Sequence, residues 1–152
     1  MPRRSMACLP AGCRDWKLIS VAHEAGKNDD IRATLGNAIA VRAYRKGIHS
    51  FPDGAVIVRP VWRHESSPRN DAVFPAPQSF VAGEPTNVQV SVKDARRCAA
   101  SGGWGYGQFD NHMPNSNEAL IRSCAACHAK PTRAPIGSLW YTRAAVRQAV
   151  GD

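Results

Sequence analysis

The chain lacks a long hydrophobic run. None of its apolar stretches approaches the roughly 20 residues that a membrane-spanning helix needs. The N-terminus, MPRRSMACLPAGC, begins with basic residues but has no sustained apolar segment, so it does not match a signal peptide. Internal repeats are also absent, and the length predicts one domain. We expect residues 15–152 to form this domain and residues 1–14 to be a tail or the remnant of an export signal.

Acidic residues and lysine are scarce. The chain has 12 acidic against 20 basic side chains, a net charge of +8, and most basic residues are arginine. These arginines are scattered, with only short pairs such as Arg3–Arg4, and they form no basic stripe or nucleic-acid-binding motif. We therefore expect no nucleic-acid partner. The charge indicates a solvated surface, or a surface that receives a small anion or an acidic redox partner protein.

The most specific motif is CAACH at residues 124–128. It fits the C-x-x-C-H pattern of covalent c-type haem attachment. Cys124 and Cys127 share one face of a helical turn, where they can add to the two vinyl groups of one porphyrin. His128 can then bind the haem iron as its proximal axial ligand. The motif predicts haem c near the C-terminus, and hence an exported, periplasmic protein, because this attachment takes place outside the cytoplasm.

A pair of cysteines at this spacing is also half of a zinc site. Cys8 and Cys13 could supply the other two thiolates, so a haem-free, zinc-stabilised module is an alternative. In an oxidising compartment the same two residues could instead form a disulfide. Cys98 is expected to be a small buried residue.

The remaining pattern predicts an α+β fold, mainly an antiparallel β-sheet with short helices. Asn37 is expected to cap a helix that ends at Gly47, and Ser116 to cap the helix that carries CAACH. Pro60 predicts an edge strand or a bulge. Strands are expected at 16–22, 31–35, 55–62, 87–92 and 104–109, a short helix at 93–100, a lid or an irregular hairpin at 65–85, and a last ordered piece from Trp140 and Tyr141.

Four segments carry a resemblance to a known family. FPDGAVIV at 51–58, VQVSVKDARR at 88–97, GGWGYGQF at 102–109 and the terminal CAACH resemble the cytochrome P-460 family over about residues 15–143. The resemblance implies a mainly antiparallel β fold, often homodimeric, and a high-spin, five-coordinate haem c. It further implies a relation to the cytochromes c′-beta, which bind small gaseous ligands such as nitric oxide.

The chain departs from the family at Arg59. Members that oxidise hydroxylamine carry there, by resemblance, a lysine that is cross-linked to the haem. A guanidinium stays protonated and is a poor nucleophile, so we expect no lysine cross-link. Arg59 shares a strand face with Ala55 and Ile57, and a charge there needs a partner. It either contacts a haem propionate or an iron-bound ligand, or extends past Pro60 to solvent.

Gln89 is a second departure, at a position where the hydroxylamine-oxidising members carry a carboxylate near the distal face. Glutamine offers hydrogen bonds but cannot act as a general base near neutral pH. It is either a distal residue or a solvent-facing one. Trp104, Tyr106 and Phe109 either line the haem pocket or belong to the core.

The predicted function is a monohaem c-type cytochrome that binds nitric oxide or a related small nitrogen ligand, transfers electrons, or both. The enzymatic alternative is oxidation of hydroxylamine or nitric oxide. The other histidines are expected to be surface residues, and Met113 is only a weak candidate for a sixth ligand. These histidines are His23, His49, His64 and His112.

Overall fold

Residues 8–48 and 50–128 are described by a computed structural model. They form one antiparallel sheet in which every strand pairs with the next along the chain, in the order β1 to β6. This confirms the α+β expectation. The strands are β1 (Lys17–Glu24), β2 (Asp30–Gly36), β3 (Val56–Ser66), β4 (Phe80–Lys93), β5 (Trp104–Asp110) and β6 (Met113–Pro114), and the helices are α1 (Ala38–Arg45), α2 (Pro68–Asp71) and α3 (Glu118–His128).

The sheet has two faces because successive side chains of a strand point in opposite directions. The rear face carries one apolar cluster, which includes Val58, Val90 and Phe109. The front face carries a second cluster, in which Ile57 and Trp104 pack with the buried side of α1. The alternation of valines in β4 explains why this strand forms, since its even-numbered valines all face the rear cluster.

Asn37 joins α1 to the sheet. Its side-chain oxygen accepts hydrogen bonds from the amides of Ala40 (2.9 Å) and Val56 (3.2 Å), and its amide donates to the carbonyl of Gly54 (2.8 Å). The predicted cap is therefore confirmed. The same side chain also fixes the turn that leads into β3, where Gly54 has a φ of 86°.

Segment 65–85 is not a long loop. β3 continues to Ser66 and β4 begins at Phe80, so only the connection that contains α2 lies between them. The hairpin alternative is confirmed, and the lid is not. The expected helix at 93–100 is also wrong, because Lys93 ends β4 and the only helical turn described there is the short 3-10 turn Ala99–Ser101.

Pro60 does not lie in an edge strand. It pairs with Val88 of β4, and β3 has β2 on its other side. Arg59 and Pro60 have no registered partner in β2, as expected for a residue without an N–H. The register shifts in β3 come after Val61, next to Trp62.

Part of segment 1–14 contributes to the core. Leu9 and the buried Cys13 pack on the rear face against Val58 and Phe109. His49, Trp140 and Tyr141 lie outside the described residues. Within the described residues, no helix is both long and apolar enough to cross a membrane.

Candidate functional site

The helix that carries CAACH begins after Asn117. The side-chain oxygen of Asn117 accepts hydrogen bonds from the amides of Ala119 (3.0 Å) and Leu120 (3.2 Å), which are orphan donors of the first turn. Asn117 is thus the cap, and the expectation for Ser116 was wrong by one residue. The acidic side chain expected in the first turn, Glu118, is there.

The three residues of the motif that bear chemistry lie at the end of α3, which packs against β5. The His128 ring stacks on the front-face ring of Tyr106, with centroids 5.1 Å apart and planes inclined by 16°. Burial raises the pKa of Tyr106 to about 12, and the nearby Cys124 and Cys127 act in the same direction. Cys98 acts in the same direction, and the described contact that joins the motif to this ring is the stack of His128 on Tyr106.

The protonation states of these groups follow from their surroundings. Burial lowers the pKa of His128 from its usual 6.5, and the charge of Arg59 lowers it further. The imidazole is therefore neutral at neutral pH and can donate a lone pair to a metal. Burial raises the pKa of the Cys124 thiol, so this sulfur remains protonated.

Arg59 and Gln89 lie side by side on the same front face. They are cross-strand partners in β3 and β4, and Nη1 of Arg59 donates a hydrogen bond to Oε1 of Gln89 over 3.4 Å. Nη2 of Arg59 donates to Oε1 of Glu24 over 3.1 Å. Gln108 is the partner of Gln89 in β5. A polar row thus crosses three adjacent strands beside Tyr106.

The guanidinium of Arg59 is largely buried, with its side chain 13% exposed. Burial and, to a smaller extent, the charge of Arg32 lower its pKa to about 10, although Glu24 and Asp30 act in the opposite direction. At neutral pH Arg59 is still protonated. It does not extend past Pro60 to solvent. Because it is protonated, it is a cationic hydrogen-bond donor rather than a nucleophile.

Two aromatic residues predicted to contact haem belong to the cores instead. Trp104 is buried in the front cluster, where its ring packs edge-on against Phe51 at 5.9 Å. Phe109 is fully buried in the rear cluster. Phe109 points to the opposite face from Tyr106, so the core alternative describes its position.

The remaining cysteines do not complete a zinc site. Cys13 packs on the rear face, whereas Cys124 and Cys127 belong to α3, whose His128 stacks on Tyr106 of the front face. Among the described residues the only group of three metal-ligating side chains contains no cysteine. Cys8 and Cys13 are free thiols and form no disulfide. Cys98 is half-buried, as a small packing residue would be.

The donor set on α3 fits a covalently attached haem better than zinc. It offers two thiols and one neutral imidazole on a single turn, without the further protein ligand that a structural zinc site requires. Its side of the sheet also presents a cationic donor, Arg59, suited to a carboxylate or an anionic ligand. Cys124, Cys127 and His128 are the residues that could hold the haem.

Three residues that contribute to the candidate site were not predicted from the sequence. Glu24 pairs with Arg59 but is 35 positions away in the chain, so no local pattern connects them. Gln108 extends the polar row only because β5 pairs with β4 in one register. Asn117 did have a signal, since asparagine is as good a cap as serine.

Comparison with known proteins gives the family. No curated protein matches the chain. The sequence profile of the family described as Cytochrome P460 matches residues 10–134, which include the whole sheet and the CAACH motif. This family implies a haem c protein, in agreement with the donor set of α3. The chain therefore belongs to the cytochrome P460 family.

Proposed function

We propose that the protein is a monohaem c-type cytochrome that binds nitric oxide or a related small nitrogen ligand, and that it exchanges electrons through this haem. Cys124 and Cys127 would hold the haem through their thiols, and the imidazole of His128 would bind its iron. The observation that carries the proposal is the stack of His128, at the end of the CAACH helix, on Tyr106, beside the polar row of Arg59 and Gln89. The bound haem supplies the redox and ligand-binding chemistry.

His128 is suited to the axial position because it is neutral. Its lowered pKa keeps a lone pair available on the imidazole at neutral pH. Stacking on Tyr106 restricts the rotation of its ring. A restricted, neutral imidazole loses little freedom when it binds a metal.

An open sixth position is supported by where the other described histidines and Met113 lie. His23 and His64 are hydrogen-bonded to Asp29. His112 is exposed in the turn after β5, and Met113 is 69% exposed in β6. None of these four is held near Tyr106 by a described contact, which favours a five-coordinate, high-spin iron over a six-coordinate electron carrier.

Arg59 and Gln89 favour ligand binding over oxidation of hydroxylamine. Neither can take a proton at neutral pH, since the guanidinium is already protonated and an amide is not basic. The ion pair with Glu24 favours the protonated guanidinium, which has no nucleophilic lone pair for the porphyrin. We therefore propose that the haem has no side-chain cross-link, and that Arg59 donates hydrogen bonds to an anionic or polar ligand.

The surface supports two further proposals. Strand β1 is at the edge of the sheet and exposes Leu18 and Val21, which suits pairing with a second copy. The excess of basic residues suits an acidic redox partner. Covalent attachment of haem places the protein in the periplasm or another exported location.

The test is ligand binding by the haem-loaded protein. The ferric protein should show high-spin absorption, and the ferrous protein should bind nitric oxide with a shift of the Soret band. His128→Gly should lose the high-spin spectrum of the wild type, whereas His112→Asn, a change at an exposed histidine, should keep it. A low-spin ferric spectrum together with no uptake of nitric oxide would refute the proposal.

A further inference from the structure

Two histidines and an aspartate meet at the far edge of the sheet, away from the haem site. His23 is in β1, Asp29 is in the turn before β2, and His64 is in β3. Glu24 reaches Arg59 on the front face, so its neighbour His23 points to the rear. Nε2 of His23 lies 2.7 Å and Nδ1 of His64 lies 3.2 Å from Oδ1 of Asp29.

The three side chains are held in place by their surroundings. The ring of His64 lies between those of His23 and Phe80, with centroids 3.8 and 4.4 Å away. The carbonyl of Asp29 accepts a hydrogen bond from the backbone amide of His64 over 3.2 Å. Asp29 has a φ of 43°, which fixes the turn that presents its carboxylate.

We propose that His23, Asp29 and His64 bind a divalent first-row transition-metal ion such as zinc. One nitrogen of each histidine and one carboxylate oxygen lie within 4.8 Å of one another. In a tetrahedral zinc site, bonds of about 2.0–2.1 Å place neighbouring ligand atoms about 3.3 Å apart. The two separations from the carboxylate oxygen, 2.7 and 3.2 Å, approach this value, and the two histidine nitrogens lie within 4.8 Å of each other, so small movements of the side chains bring the three ligand atoms around one cation.

The donor chemistry selects the class of ion. Two imidazoles with one carboxylate suit zinc, copper, nickel or iron, whereas calcium and magnesium prefer oxygen ligands alone. His23 binds through Nε2 and His64 through Nδ1, and each carries its proton on the other ring nitrogen. The exposed position of Asp29 leaves room for water to complete the coordination.

The bound ion connects β1, the β1–β2 turn and β3. Stabilisation should follow, because an ion that binds the folded but not the unfolded chain raises the free energy of unfolding. The site shares no ligand with the haem. Its failure would therefore leave the proposed haem function intact.

The experiment is equilibrium dialysis of the untagged, haem-loaded protein against zinc at tens of micromolar. The wild type should bind one zinc ion per chain. His23→Gln and Asp29→Asn should each weaken binding at least tenfold, since each removes a ligand; asparagine also tolerates the positive φ at position 29. His112→Asn is the matched control and should bind zinc as the wild type does.

X-ray absorption spectroscopy at the zinc edge identifies the atoms that bind the ion. Nitrogen and oxygen at about 2.0–2.1 Å, without sulfur at about 2.3 Å, is the expected result. A sulfur shell would mean that zinc binds at cysteine, and it would overturn the assignment. So would a wild type that takes up no zinc, or His23→Gln and Asp29→Asn variants that bind zinc as tightly as the wild type.

Discussion

Arg59→Leu should weaken ligand binding while it changes the stability of the fold only slightly. The guanidinium is largely buried and donates to Glu24 and Gln89. Burial lowers its pKa from 12.5 to about 10, which corresponds to roughly 3 kcal/mol against the charged form. The variant removes only one partner of the pair, and loss of one partner destabilises because the other charge loses its counter-charge. Glu24 is 48% exposed and can be solvated, and the burial cost of the guanidinium is also removed, so we expect a net loss of at most about 1 kcal/mol.

The functional effect should be larger than the effect on stability. A hydrogen bond from a charged donor contributes about 1.5–3 kcal/mol when the site excludes water. Loss of Arg59 should therefore weaken the binding of an anion such as azide or cyanide to the ferric protein by about 10- to 100-fold. Neutral nitric oxide should lose less affinity, because it gains less from a cationic donor.

The assay combines urea unfolding with ligand titration of the haem-loaded protein. Arg63→Leu is the matched control, since Arg63 lies on the same strand but is exposed. It should leave both the free energy of unfolding and the anion affinity close to the wild-type values. If Arg59→Leu leaves the anion affinity unchanged, Arg59 does not face the ligand, and this part of the account is wrong.

Three further predictions follow from the caps and from the titrating groups. Asn37→Ala should lower the free energy of unfolding by about 2–3 kcal/mol, because the side chain makes three hydrogen bonds. Asn117→Ala should lower it by about 1 kcal/mol, because the first turn of α3 loses its cap. Urea unfolding measures both changes, and the control Ser116→Ala should change the free energy of unfolding little. The haem-free chain should lose stability as the pH falls through 6.5, because the unfolded chain binds a proton at His128 before the folded one does, and urea midpoints measured across this range check the sign. Arg59→Leu should reduce this loss, because it removes one cause of the lowered pKa of His128.

Much of the sheet could be predicted because its signals are local. The valines of β4 alternate and face one cluster, and Asn37 and Gly47 bracket α1. The first half of β4 could not be predicted, because it consists of exposed residues rich in glycine and proline. It forms a strand because its backbone pairs with the end of β3.

In the candidate site, too, the local motif could be predicted from the sequence, whereas the contacts between distant strands could not. CAACH is contiguous, so its chemistry is visible without a structure. The contact of Arg59 with Glu24 depends on the packing of strands far apart in the chain. Alternation along β5 separates Phe109 from Tyr106, but only the pairing with β4 shows that Phe109 joins the cluster of Val58 and Val90.

Peptide mapping of the haem-loaded protein by mass spectrometry tests the central claim most directly. After acid–acetone extraction and proteolysis, haem should remain on the peptide that contains Cys124 and Cys127, and the peptide that contains Arg59 should have its unmodified mass. A Cys124→Ala, Cys127→Ala variant should lose its haem in the same extraction. A wild-type CAACH peptide without haem, or a porphyrin adduct at Arg59, would contradict the account.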